Sequence, residues 1–285
     1  MDHMCQCSLF KMCPNLEVIY FTDECGDKGL QVIAKFCKKL HKLTHYRPVT
    51  HVGLIALAKG CTKLECVKVR VEDISNEAIK CIGKHLKNLC NFRVHLAKKD
   101  GTTDVPLDNG IRLVLVVKLE KLDITLERLD MHEGLTDVGL EYIGKYGANL
   151  RSLFLTRIRN FNAALVKFLE GCPKLRKLKL TNCPFSKQVV TNFVFNMPSL
   201  RYVWIKGNIG CEGDISNEAI EFVGARLKNL RKFRMDLVKK NGTTLDNGIQ
   251  VMLMGCSKLQ TLDITLLHGG LTDVGLEYIG KVCGA

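Results

Sequence analysis

Apolar residues recur along the chain in a short phrase, L-x-x-[apolar]-x-[apolar]. Its anchors are Leu16, Leu40, Leu64, Leu89, Leu119, Leu150, Leu175, Leu200, Leu230 and Leu259. Successive anchors are 24, 24, 25, 30, 31, 25, 25, 30 and 29 residues apart. Within a phrase such as Leu175-Arg-Lys-Leu178-Lys-Leu180 the apolar and polar positions alternate, which predicts a strand with one buried face. A turn and a second apolar rhythm follow. Leu54, Leu57 and Ala58, or Leu140, Ile143 and Gly144, repeat at the spacing of one face of a helix. One strand and one helix cannot bury these faces alone, so neighbouring units must stack. The predicted fold is α/β: a leucine-rich-repeat solenoid of about ten strand–helix units. A parallel sheet should line its concave side and helices its convex side, in a single domain over residues 1–285.

The pattern is doubled at a larger scale. The block 73–145 opens with DISNEAI and closes with GLTDVGLEYIGK, and both phrases return in the block 214–281. Each block holds about three solenoid turns, so a block was duplicated and not a single unit. Three places break the rhythm. Pro48 removes a backbone donor in the second unit, which should make that strand irregular. The glycine–cysteine pair expected before Leu119 is missing, which predicts a locally re-registered repeat. The polar segments 98–110 and 239–248 read as rim loops.

Composition changes the picture only in part. Hydrophobic residues make up 46% and charged residues 25%, so a folded core is expected. Lys+Arg outnumber Asp+Glu by 42 to 29, a net charge of +13 that favours anionic partners. Fourteen cysteines recur with the repeat, as at Cys13, Cys37, Cys61, Cys172 and Cys256, and suit reduced, buried thiols better than disulfides. No signal peptide precedes the repeats and no apolar run reaches bilayer length, so no membrane role is expected. Cys5, Cys7, Cys13 and His3 read as a frayed terminus. His41, His45 and His51 read as surface histidines, so no metal site is predicted.

Residues between the apolar strand positions should face the open side of the sheet. Four residues after each anchor stand Tyr20, Thr44, Lys68, Arg93, Asp123, Phe154, Lys179, Trp204, Arg234 and Asp263. Six residues after the same anchors the list includes Tyr46, Arg70, His95, Thr125, Thr181, Lys206 and Asp236. Lys68, Arg70, Phe154, Lys179, Lys206 and Arg234 are the candidate binding residues of this face. Cations beside aromatic rings suit an anion with an apolar body. No nucleophile elbow, zincin motif or phosphate-binding glycine loop occurs, so the chain is not expected to be an enzyme. Nucleic-acid binding driven by charge alone is the weaker class.

Several phrases carry a family resemblance in order from about Asn15 to Gly207: GLIALAKGC, DISNEAI, LKNLCNFR, PLDNGIR, GLTDVGLEYIG, GCPKLRKLKL and MPSLRYVWIKG. Together they resemble the leucine-rich-repeat region of the coronatine-insensitive jasmonate co-receptors. These are plant F-box/leucine-rich-repeat proteins, the substrate adaptors of SCF ubiquitin ligases. The resemblance implies binding of a jasmonate-type hormone conjugate over an inositol polyphosphate, capture of a repressor peptide, and work in the nucleus and/or cytoplasm. By resemblance, Arg93 falls on the arginine that meets the ligand carboxylate. Arg151 falls on a second ligand-binding arginine, and Trp204 on a tryptophan beside the partner site. Thr125 stands where the family has a tyrosine, and Thr181 near a family basic residue. Repeats begin almost at Met1, without an F-box, so the chain reads as a truncated and internally duplicated relative. An SCF role is doubtful on that ground. The alternative is a degenerate or decoy interaction module that neither senses hormone nor joins an SCF complex.

Overall fold

The computed structural model describes residues 3–21, 26–96, 108–115, 119–126, 136–156, 168, 170–181, 197, 199–207, 216–238, 244–267 and 270–283. It divides into two compact units, Met1–Leu150 and Arg151–Ala285.

In the first unit the strands are β1 (Val18–Phe21), β2 (Lys42–Thr50), β3 (Cys66–Asp73), β4 (Asn91–Leu96) and β5 (Lys121–Leu126). They form a parallel sheet in chain order. Helices α1 (His3–Met12), α2 (Gly26–Phe36), α3 (His51–Gly60), α4 (Asn76–His85), α5 (Asp108–Leu115) and α6 (Asp137–Tyr146) pack side by side. The second unit repeats the plan with β6 (Ser152–Thr156), β7 (Lys177–Thr181), β8 (Tyr202–Lys206), β9 (Lys232–Val238) and β10 (Thr261–Leu267), also parallel and in order. Its described helices are α7 (Asn217–Arg226), α8 (Asp246–Gly255) and α9 (Asp273–Cys283). The ten strands follow the ten anchors of the sequence.

The repeat is held together by groups that recur at fixed offsets. Val67 and Val69, Phe92 and Val94, Leu178 and Leu180, and Phe233 and Met235 are all buried, three and five residues after their anchors. Each such side chain contributes about 1.5–3 kcal/mol by leaving water. The carbonyl one residue past an anchor accepts two N–H groups from the next repeat. Glu65 receives Cys90 and Asn91, Cys90 receives Glu120 and Lys121, and Arg231 receives Gln260 and Thr261. This pairing sets the register, because a slip would turn every strand side chain to the other face.

Repeat cysteines close one helix onto the previous one. The Cys61 thiol donates to the Ile33 and Cys37 carbonyls, and the Cys256 thiol to the Val223 and Leu227 carbonyls. Each of these carbonyls also accepts a backbone N–H of its own repeat, so the thiol is a second donor to it. Lysines add to the same closure: Lys228 Nζ donates to Gly224 and Gly255, and Lys38 Nζ to Ala34 and Gly60. Thr50, Ser75, Thr136 and Ser216 cap the starts of α3, α4, α6 and α7. Among the described residues, Cys13, Cys37, Cys61, Cys66, Cys81, Cys90, Cys172 and Cys256 form no disulfide.

Several expectations change. The first residues are not a frayed end: residues 3–12 are helix α1, and Phe10 is buried. Residues 108–110 and 246–248 are not rim loop but the first turns of α5 and α8, while 97–107 and 239–243 lie outside the described residues. The repeat around Leu119 keeps its register, with Asn91–Leu96 against Lys121–Leu126 unbroken. The irregularity at Pro48 is present. The β2–β3 pairing jumps from His45↔Val69 to Pro48↔Arg70, so β2 bulges there. The helical phrase ALVKFLEGC lies mostly outside the described residues.

Candidate functional site

The polar face of each sheet is assembled by register, row upon row. In the first unit one row reads Tyr20, Thr44, Lys68, Arg93 and Asp123. In the second it reads Phe154, Lys179, Trp204, Arg234 and Asp263. Parallel strands stand about 4.8 Å apart, so neighbours within a row touch whenever their side chains are long.

Arg93 projects from β4 with nearly half its side chain exposed. Its Nε lies 2.5 Å from Asp123 Oδ2, and the Thr125 hydroxyl donates to Asp123 Oδ1 at 3.1 Å. The threonine steers the carboxylate, and the carboxylate steers the guanidinium. The Nη groups of Arg93 are free of that contact. Arg70 lies half-buried on β3, in register with Pro48 and His95, and Lys68 lies half-buried in the row of Arg93.

The second unit builds a stack. Trp204 is held between two cations: Lys179 Nζ lies 3.7 Å and Arg234 Cζ 4.4 Å from its ring centroid. The indole Nε1 donates to Asp236 Oδ2 at 3.1 Å, and Arg234 Nε meets the same carboxylate at 3.1 Å. Arg234 Nη1 lies 3.3 Å from Asp263 Oδ2. Cation–π contacts at such partly exposed sites are worth roughly 0.5–2 kcal/mol each, and the hydrogen bond fixes the ring's rotation. Phe154 is half-buried beside Lys179 in register, and Lys206 ends β8 exposed, between Thr181 and Asp236. Burial raises the Tyr202 hydroxyl above its ordinary value, with Arg234 opposing the shift.

Arg151 is placed differently from the other candidates. It immediately precedes β6, and its carbonyl accepts the N–H groups of Arg176 and Lys177, so its backbone belongs to the register ladder. Its side chain is exposed. Two residues expected in the open are buried. Thr44 is only 4% exposed. His45, expected at the surface, is 1% exposed, with Nδ1 2.8 Å from the Arg47 carbonyl. Thr44 keeps its register between Tyr20 and Lys68, while His45 pairs with the buried Val69 and so stands on the inward face. Among the described residues no three His, Cys, Asp or Glu side chains converge on a metal site. No described helix is long and apolar enough to cross a membrane. Sequence reasoning passed over a third outward row, two residues after each anchor, that includes Lys42, Cys66, Asn91 and Lys121. The alternation that marked the other rows marks this one as well.

Fold and site together define a leucine-rich-repeat scaffold whose open strand face carries charged and aromatic side chains. No family model matches the chain. It is 42% identical over 221 residues to "Coronatine-insensitive protein 1" of Arabidopsis thaliana and 40% identical over 221 residues to "Coronatine-insensitive protein homolog 1b" of Oryza sativa subsp. japonica. Each match takes in 72% of this chain and 36% of the relative. It is 32% identical over 232 residues to "F-box protein FBX14" of Arabidopsis thaliana, covering 75% of this chain and 36% of that protein. The chain belongs to the coronatine-insensitive family of leucine-rich-repeat proteins, and spans about a third of the length of the curated relatives it matches. Among solved structures, the leucine-rich-repeat-containing protein LegL7 from Legionella pneumophila aligns with a TM-score of 0.50 at 13% identity. That alignment covers 98% of this chain and 94% of that one, and the likeness is one of fold.

Proposed function

We propose that the chain is a non-enzymatic recognition scaffold of the jasmonate co-receptor type. In this reading a hormone conjugate meets Arg93 and a repressor peptide meets the Trp204 face. The observation that carries the proposal is the position of Arg93: it stands outward on β4 in a chain that is 42% identical over 221 residues to a coronatine-insensitive protein. The Nη groups left over from the Asp123 contact suit one carboxylate. Arg151 is the second proposed ligand arginine, and the stacked Trp204 the rigid anchor for the peptide. An inositol polyphosphate would need several free cations on one face. Arg93 and Arg234 are each committed to aspartates, so we assign neither of them to that co-ligand and derive no step through it.

The second reading is an interaction module without hormone sensing, and a specific feature favours it. Both copies of the duplicated arginine are already neutralised within the protein, Arg93 by Asp123 and Arg234 by Asp236 and Asp263. Calorimetry separates the two readings. Jasmonoyl-isoleucine is titrated with and without repressor peptide and an inositol polyphosphate, into the protein and into Arg93→Ala. Saturable heat in the unaltered protein, lost in the variant, is expected. No heat in any combination would remove hormone sensing and leave the interaction module. Co-purification of a Skp1-type subunit tests the SCF role separately.

A further inference from the structure

The third outward row opens a groove of about 270 Å³ on the first unit, beside the Arg93–Asp123 pair, which does not line it. Its floor is a line of register partners: Lys42 on β2, Cys66 on β3, Asn91 on β4 and Lys121 on β5. Lys68 and Tyr20 stand along one side, two residues further along their strands, and Glu65 and Glu120 flank the other. Tyr20 is 70% exposed, an unusual position for a ring with no described element over it. None of the ammonium groups of Lys42, Lys68 and Lys121 has an ion pair or hydrogen bond among the described residues. This separates them from Arg93 and Arg234, which are spent on aspartates.

Geometry decides what fits. Lys42 and Lys121 are three strands apart, roughly 14 Å at about 4.8 Å per strand. An extended peptide advances about 3.4 Å per residue, so four residues cover the same span. Side chains at positions i, i+2 and i+4 of such a peptide point the same way. Three acidic side chains at that spacing would meet Lys42, Lys68 and Lys121 in turn. Glu65 and Glu120 repel a uniformly acidic segment and favour neutral or basic residues at the intervening positions. The shallow, open form of the groove suits a chain laid across the strand starts.

We propose that this groove is a docking site for an extended peptide segment with acidic residues at alternate positions, acidic-x-acidic-x-acidic. It is separate from the hormone reading, and none of Arg93, Arg151 and Trp204 lines it.

A fluorescein-labelled peptide with the core Glu-Lys-Glu-Lys-Glu tests this by anisotropy against the full chain. A second peptide of the same composition carries its three glutamates consecutively. The first should bind saturably, at least ten times more tightly than the second, and more weakly as salt rises. The double variant Lys42→Glu/Lys121→Glu changes two exposed side chains and should keep the circular dichroism spectrum while losing most of the binding. The peptide assay contains no hormone, so failure of the hormone reading leaves this result untouched. Equal binding of the two peptides, full binding by the double variant, or no saturation at millimolar protein would each overturn the proposal. Complete displacement of the peptide by millimolar inorganic phosphate would overturn it too, by making the groove a small-anion site.

Discussion

Replacing a helix-interior glycine by alanine ordinarily stabilises a helix by about 1 kcal/mol, because glycine loses more backbone entropy on folding. At Gly224, in α7, the sign should reverse. A methyl group there would stand 2.5 Å from the Met252 Cα and 2.7 Å from the Val251 carbonyl oxygen of α8. Ordinary contact begins near 3.4 Å, so the two helices would have to part by roughly 0.9 Å. The obstacle is backbone and cannot rotate away. Gly255 meets Gly224 from the other side, so the pair defines the closest approach of α7 and α8. Overpacking of this kind costs about 1–3 kcal/mol, and with no flexible side chain to yield the upper end applies. Against a gain of about 1 kcal/mol, Gly224→Ala should lose about 2 kcal/mol, or about 4–8 °C in Tm. Gly280, in α9, supplies the control, since a methyl group there meets nothing within 4 Å. Gly280→Ala should hold or raise Tm. The measurement is thermal and urea unfolding of the three proteins, with hydrogen exchange to locate the loosened helices. A Tm for Gly224→Ala at or above that of the unaltered protein would refute the close-approach argument, as would equal losses in both variants.

Three further outcomes are expected. Asp246 is 7% exposed and accepts the Thr272 N–H at 3.0 Å and hydroxyl at 2.7 Å, so Asp246→Ala should cost about 3 kcal/mol in urea unfolding and Asp246→Asn about 1. Burial pushes the Cys61 and Cys172 thiols up to about 12 and Cys256 to about 11, so at pH 8 a thiol reagent should leave these three unmodified until denaturant is added; mass spectrometry of the native protein checks this. Burial holds the His45 imidazole below its usual value, against the opposing Arg47 hydrogen bond and Asp27 charge. The unfolded chain therefore takes up the proton first, and stability should be intact above about pH 6.5 and fall as pH drops through the lowered folded value. Tm at pH 5.5 should lie below that at pH 7.5, and His45→Gln should flatten the difference.

The strand layer was legible because each unit repeats the same two periods. Anchors such as Leu175, and the alternation behind them, give register once stacking is assumed. What escaped was set by contacts between repeats. The Asp-Asn-Gly of 246–248 has the composition of a turn, yet it begins α8. There Asn217 Oδ1 accepts the Gly248 N–H at 2.8 Å, and Asp246 in turn holds Thr272 of the following repeat. The same device links Asp27 to Thr50. Local turn chemistry cannot reveal a partner some thirty residues away. His45 stands five residues past Leu40, in register with the buried Val69, so alternation alone places it inside; grouping it with His41 and His51 around Pro48 is what put it at the surface. The row of Lys42 and Lys121 obeyed the rule and was missed by starting the count four residues past the anchor.

The duplicated block shows where specificity must reside. Both copies carry the Arg–Asp pair across neighbouring strands, Arg93 with Asp123 and Arg234 with Asp263. Their surroundings differ on the preceding strand, which lies outside each block's repeated phrases. Arg93 has Lys68 beside it in register, whereas Arg234 has Trp204, with Lys179 on the ring's far face. A further difference lies two residues along: His95 in the first copy, and in the second Asp236, which binds both the indole and the guanidinium. One arginine thus faces an open cationic surface, while the other is locked into a cation–aromatic stack. Duplication copied the charged pair, and the non-duplicated strands gave each copy a different chemical role. Exchanging Lys68 and Trp204 between the units should therefore move recognition properties that exchanging the two arginines would not.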